Sequence, residues 1–370
     1  MDVAGLLTQI LNGVQYGLLL FLIASGLTLI FGVMGIINLA HGSLLMIGAY
    51  AAFLVTRHWG SLWLALPVAA LGGALLGLVL ERGLFRFFYT RNHLDQVLLT
   101  FALILLFEEA RSLLVGNDFH SVPVPAIFDF SVPITSGFSY SAYRFAVIAA
   151  CLLLALGLYL WIERTRLGAI IRAAAEKPEM VDVLGLDARR IHVTVFAIGT
   201  ALALVAGVLA APLYSVYPGM GDQFLIISFV VVVIGGLGSV SGAFWSALLI
   251  GIIDTLGKAY RPKAAALDKL LCSTDAGVFC GYLVPGMSGL LVFVLTTSVY
   301  LLMAAVLLWR PTGLFGQRCE DASQRAGLLR EFLRRLVVLV KPHASPCETS
   351  FTDWPKTTPP PQPAISLASP

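Results

Sequence analysis

The sequence predicts an all-α integral membrane protein, a polytopic bundle of about eight or nine transmembrane helices, on three observations. Hydrophobic residues make up 58% of the chain and charged residues only 12%, against roughly 45–50% and about 25% in soluble domains. Apolar windows long enough to cross about 30 Å of hydrocarbon as helices recur at 6–31, 35–55, 61–80, 97–115, 143–162, 193–211 and 284–309. Lysine and arginine gather in alternate connections, as the positive-inside rule requires.

The first window lacks a basic leader and its apolar run continues, so it reads as a span and not as a cleavable signal. The second opens with "GIINLAHGSLLMIGAY", residues 35–50. Asn38 and His41 are three residues apart there and would share one face of a helix, beside glycines that admit a second backbone or a solute. Such a face either lines a path for a polar solute or pins two spans together. The other polar groups at membrane depth are Asn12, Gln15, Glu108, Glu109, Arg111 and Asp254, and groups of this kind line cavities or pair with neighbours. "GVQYG", "GALLG" and "GSVSG" are small-xxx-small patterns of the sort that pack helices.

The connection 81–96 carries Arg82, Arg86 and Arg91 and faces the cytoplasm on this reading, as does 163–192 with Arg164, Arg166, Arg172, Lys177, Arg189 and Arg190. Segments 116–142 and 212–223 contain no lysine or arginine and face outward. Glu108, Glu109 and Arg111 fall late in the fourth window and are expected to neutralise one another or to snorkel. Residues 224–257 read as two short spans broken at "GGLGSVSG", 235–242, where four glycines each lower helix propensity by about 1 kcal/mol. The loop 258–283, with Lys258, Arg261, Lys263 and Lys269, is then external. If 224–257 is a single kinked span instead, another segment must re-enter. The N-terminus counts outward, and Arg310 to Lys341 hold the C-terminus inside.

The loop "ERTRLGAIIRAAAEKPEMVDVLGLDARRIHVTVFAIG", 163–199, has its own pattern. Apolar residues at 167, 170, 171, 174 and 175 predict a short amphipathic helix from Leu167 to Glu176. Pro178 suits the first turn of a second helix, with Glu179 and Asp182 near its positive end, and Gly185 stops it. The result is a cytoplasmic knob for a soluble partner, or a helix lying on lipid headgroups. No P-loop, HExxH, GxSxG or metal-ligand spacing occurs, so the chain is not read as an enzyme and no metal site is expected. Five cysteines are present; Cys272 and Cys280 share one loop and are either a bridge or two thiols, depending on which side that loop faces.

Four stretches in order, "ASGLTLIFGVMGIINLAHGSLLMIGAY", "IRAAAEKPEMVDVLGLDARRI", "VVVVIGGLGSVSGA" and "LLWRPTGLFG", resemble landmarks of the permease subunits of branched-chain amino acid ABC importers. The match runs from about residue 6 to Gly316 and is most similar to the half of the permease pair that starts directly with the first span. The resemblance implies a cytoplasmic coupling helix, with Arg172, Ala173, Ala174, Glu176, Gly185 and Leu186 touching an ATP-binding subunit. Asn38, His41, Gly42, Gly236 and Gly238 become candidate elements of the translocation path. It further implies a second homologous permease, two cytoplasmic ATP-binding subunits that use ATP and Mg, a periplasmic solute-binding protein and a multi-pass place in the inner membrane. This chain itself would bind no cofactor, and nothing points to nucleic acid. Related permeases of this kind serve branched-chain or other amino acids, urea or short amides. An ion-coupled secondary transporter is the rival mechanism, and it leaves the docking loop unexplained.

Two departures from the family stand out. Segment 259–289 is longer than the usual connection, and the chain continues past Gly316. Residues 1–316 are therefore read as the permease domain, 317–341 as a basic amphipathic segment suited to an anionic leaflet, and 342–370 as a disordered Pro/Ser/Thr-rich tail.

Overall fold

The computed structural model describes residues 3–89, 91–135, 138–176, 187–271, 284–310 and 313–314. Ten helices carry the fold among these residues: α1 (Val3–Met34), α2 (His41–Trp59), α3 (Leu62–Gly83), α4 (His93–Val115), α5 (Ala142–Arg164), α6 (Arg166–Glu176), α7 (Ala188–Ala210), α8 (Met220–Gly235), α9 (Val240–Leu271) and α10 (Val284–Trp309). The chain is an all-α polytopic bundle. Five of the described helices are long and apolar enough to cross a membrane: α1, α3, α5, α7 and the Val240–Tyr260 part of α9. Met220–Gly235 and Thr297–Trp309 are shorter apolar helices.

A helix that is hydrophobic all round belongs in the interior, and α1 and α7 behave so, with 83% and 72% of their spanning windows buried, against 28% for α3 and α5. The outer helices turn Leu71, Leu75 and Val79 of α3 and Leu153 and Leu156 of α5 away from the protein.

Hydrocarbon supplies no drive for apolar helices to leave one another's company or that of lipid, so close approach of backbones has to hold them together. The glycine patterns do this. A Cβ at Gly13 would stand 2.7 Å from Ile252 Cα, and one at Gly17 would stand 2.7 Å from the Ala247 carbonyl, so α1 and α9 lie in backbone contact. Gly73 and Gly77 of α3 face Ala201 and Ala197 of α7 in the same way. Of the three patterns only "GSVSG" straddles a turn: Gly236 (φ 100°) and Gly238 (φ 87°) take left-handed backbone, separating α8 from α9. The predicted break is therefore real and confined to residues 236–239.

Two local expectations are corrected, and one segment gains structure that was not anticipated. The second window does not begin as a helix at 35. Gly35 has φ 66°, and the chain stays irregular until His41, because Asn38 Oδ1 accepts the Ala40 N–H at 3.1 Å and the Asn38 carbonyl accepts the His41 N–H at 3.2 Å. That local turn competes with helix, and Asn38 and His41 do not share a helical face. The loop read at 258–283 begins as helix, since α9 runs on to Leu271 through the alanine- and leucine-rich "AAALDKLL", all good helix formers apart from Asp268. Segment 116–142 contains an antiparallel pair, Ser131–Thr135 with Phe138–Ser141, in which Val132 faces Tyr140; its alternating Val, Ile, Phe and Tyr suit a strand. Cys272, Cys280 and everything after Leu314 lie outside the described residues.

Candidate functional site

Of the predicted path residues, His41 opens α2 and is fully buried, with Nε2 3.1 Å from the Ile23 carbonyl of α1 and Nδ1 without a hydrogen-bond partner among the described residues. It sits where three helices cross: a Cβ at Gly26 would meet both the Gly199 carbonyl of α7 (2.6 Å) and His41 Nε2 (3.0 Å). Asn38 is buried just ahead of it. Gly42 abuts the Gly221 carbonyl and Leu225 at the start of α8. Gly236 and Gly238 lie at the other end of α8, where Gly238 approaches Gly32. The path candidates thus fall into two places: a sealed crossing around His41 and the turn that ends α8.

Of the coupling residues, Arg172, Ala173, Ala174 and Glu176 belong to α6, while Gly185 and Leu186 lie outside the described residues. The joint before α6 is tight. Thr165 Oγ1 donates to the Trp161 carbonyl (2.6 Å) and accepts the Gly168 N–H (3.0 Å), and Arg172 reaches back to the Ile162 carbonyl and to Glu163 (3.0 Å). Ile171 and Ala174 are buried against the bundle, whereas Ala173 and Ala175 are exposed. Ala175 comes near the Gly32–Gly238 contact, so α6, the end of α1 and the glycine turn meet.

The polar groups gather elsewhere. A cavity of about 450 Å³ lies among α1, α5, α8, α9 and the connection before α8. On one wall Arg144 Nη1 donates to Asn12 Oδ1 (2.7 Å) and Gln15 Oε1 (3.2 Å), and the Tyr140 hydroxyl donates to the same Asn12 oxygen (3.0 Å). Asp254 and Lys258 form an ion pair at 2.6 Å on α9, with Lys258 Nζ 5.4 Å from the centre of the Tyr16 ring. Tyr16, Tyr214 and Phe224 pack together, their ring centres 5.7–6.4 Å apart. Asn12, Gln15 and Asp254 were legible as polar groups at membrane depth. Arg144 was not, because it follows a basic-free loop and opens an apolar window. The signal was the i, i+3 spacing of Asn12 and Gln15, which puts two amides on one face of α1 with nothing in that helix to satisfy them.

Two further polar clusters are structural. Glu108 Oε2 pairs with Arg111 (3.1 Å) and Oε1 accepts the N–H of Gly219 (3.0 Å), the residue before α8, while Arg111 also donates to the Gly116 carbonyl (2.6 Å) and Asn117 (3.0 Å). Glu108 and Arg111 neutralise one another, one of the two outcomes expected, whereas Glu109 is exposed and stands apart from the pair. At the end of α3, Glu81 is fully buried and accepts the Tyr89 hydroxyl at 2.8 Å. Burial, then the Glu81 carboxylate, pushes the Tyr89 phenol well above its ordinary range, so it stays a donor at every physiological pH. Tyr89→Phe removes that donor from a buried carboxylate, and we expect a loss of about 1–3 kcal/mol, seen as a lower unfolding temperature in detergent; an unchanged transition would show that Glu81 has another partner.

An all-α polytopic bundle enclosing a cavity lined by paired charges and amides is the architecture of a membrane permease. Residues 9–274 match the family model of the branched-chain amino acid transport system permease component, and the chain belongs to that family. It is 32% identical over 263 residues to the high-affinity branched-chain amino acid transport system permease protein BraD of Pseudomonas aeruginosa, covering 68% of this chain and 86% of that protein. It is also 32% identical over 268 residues to LivH of Escherichia coli (69% and 86%). A second permease protein of that organism, LivM, is 28% identical over 259 residues (64% and 60%). No solved structure matches. Proteins of this family are transport subunits and not enzymes.

Proposed function

We propose that this chain is the membrane-spanning subunit of an ATP-driven importer that moves a branched-chain amino acid, or a related small polar solute, from periplasm to cytoplasm. It works beside a second homologous permease, two cytoplasmic subunits that bind ATP and Mg, and a periplasmic solute-binding protein. The alternation of lysine and arginine orients it with the α5–α6 joint and the C-terminus inside. The observation that carries the reading is α6. Its buried face, Ile171 and Ala174, is fixed to the bundle, and its exposed face presents Leu167, Ala169, Ala173 and Ala175 together with Arg166 and Arg172. A helix tied back to the end of α5 by Arg172, packed on α5, α1 and α7 and ending beside the Gly32–Gly238 contact passes a push from a soluble subunit into α1 and α7 and, through Gly32, to the α8–α9 turn. Coupling of this kind requires that the ATP-binding subunits favour one arrangement of the helices over the other.

The test is ATP hydrolysis by the reconstituted assembly, comparing wild type with the double variant Glu176→Lys, Gly185→Trp. We expect stimulation by loaded binding protein to fall by about tenfold or more, equivalent to at least 1.4 kcal/mol of lost coupling, while the two permeases still copurify. Equal stimulation in both would remove α6 and its loop as the coupling element.

A further inference from the structure

We propose that the cavity between α1, α5, α8 and α9 is a solute site of this permease and takes an α-amino acid as its zwitterion, with the carboxylate on Arg144 and the ammonium on Asp254. The proposal rests on the importer reading and adds the residues that recognise the solute.

Four observations point the same way. Gln15 is 1% exposed, lines the cavity, and its Nε2 has no hydrogen-bond partner among the described residues. A buried amide donor left unmet is costly, and an acceptor in the cavity would meet it. Gln15 Oε1 is already held by Arg144, so the free donor lies beside the guanidinium. The hydrogen bonds of Arg144 to Asn12 and Gln15 both leave from Nη1, and the guanidinium lies 5.9 Å from the Tyr140 ring centre; its Nη2 edge bonds neither amide and can serve a carboxylate. One anionic group with two oxygens satisfies both.

Asp254 supplies the opposite charge. Its side chain is 13% exposed, whereas its partner Lys258 is 62% exposed, so the lysine end is free to swing into solvent and yield the carboxylate to an incoming ammonium. Arg144 and Asp254 line the same cavity as Tyr16, Tyr214 and Phe224, so both poles and the aromatic wall face one space. That wall, Tyr16, Tyr214 and Phe224, offers an apolar side chain a surface, and the volume lies within the roughly 300–1,000 Å³ of small-ligand pockets. The start of α8 is not the anion site, because Glu108 already takes the Gly219 N–H there and places a negative charge at the positive end of the helix.

The experiment measures binding of tritiated L-leucine to the assembled permease–ATPase complex in detergent, without the solute-binding protein. In wild type, L-leucine should compete with the label at least about tenfold better than leucinamide, which lacks the carboxylate, or 4-methylpentanoate, which lacks the ammonium, a difference of 1.4 kcal/mol for each lost pole. Arg144→Gln should weaken L-leucine and abolish the disadvantage of leucinamide; Asp254→Asn should do the same for 4-methylpentanoate. Unfolding temperatures establish that each variant is folded. The absence of binding, equal competition by all three compounds in wild type, or unchanged discrimination in both folded variants would each overturn the site. ATP hydrolysis stimulated by loaded binding protein is measured on the same wild-type preparation. Failure there counts against the importer reading and leaves the binding result to decide the site independently.

Discussion

Gly207→Leu is expected to abolish accumulation of the folded permease. Gly207 of α7 lies against the Leu45 carbonyl of α2, and a Cβ there would also stand 2.8 Å from the Ala49 amide nitrogen; Gly48 of α2 meets the Leu204 carbonyl in return. The obstacle is backbone on both sides, so no side chain is free to rotate away. Adding side-chain atoms to a tight core typically costs 1–3 kcal/mol, and occasionally more, when neighbours give way. Here α2 itself must retreat from the most buried part of the bundle, and the loss is expected at about 3 kcal/mol or above, a large fraction of the 5–15 kcal/mol that stabilises typical domains. Extracted, monodisperse protein measured by fluorescence-detected size exclusion should fall to a small residue of the wild-type amount. Gly5→Leu is the control, since open space surrounds that position. Wild-type recovery of Gly207→Leu would mean that α2 and α7 are not packed as described.

The second large effect is expected at Arg111. Its side chain is 7% exposed and Glu108 is 27% exposed, so the pair is mostly dry. Arg111→Leu leaves a carboxylate facing the start of α8 without its cation and strips two acceptors, the Gly116 carbonyl and Asn117, of their donor. Breaking a fully buried pair costs about 3–5 kcal/mol, and the partial exposure of Glu108 lowers this to roughly 2–3 kcal/mol. The unfolding temperature in detergent should drop by several degrees. Adding Glu108→Gln should return part of the loss, because the amide oxygen still accepts the Gly219 N–H without an unbalanced charge. A double variant as unstable as the sum of its parts would show that the two side chains act independently.

What was legible in the sequence follows from how each feature is encoded. The helices were readable because hydrocarbon forces backbone polar groups to bond within the helix and composition records that demand directly. The amphipathic α6 and the glycine turn after α8 are local patterns and were equally plain. Partnerships across the chain were not. Arg144 meets Asn12 across 132 positions, and no window of sequence contains both. His41 takes a backbone carbonyl, that of Ile23, which leaves no trace in residue type. The start of α2 was misplaced because an apolar run of isoleucine, leucine and alanine reads alike as helix or buried coil, and only the Asn38 turn separates them.

The last described residues bear on the order in which the protein is built. Gly313, with φ 82°, lies against Gly236, and the Leu314 N–H donates to the Ile234 carbonyl at 2.8 Å. That carbonyl belongs to the final turn of α8, where a helix has no partner of its own to offer. During synthesis the ribosome delivers Leu314 some eighty residues after Ile234, when α9 and α10 have already been made. A contact between positions eighty apart thus ties the chain just past α10 to the end of α8, and the Ile234 carbonyl has no access to this donor until residue 314 has been made.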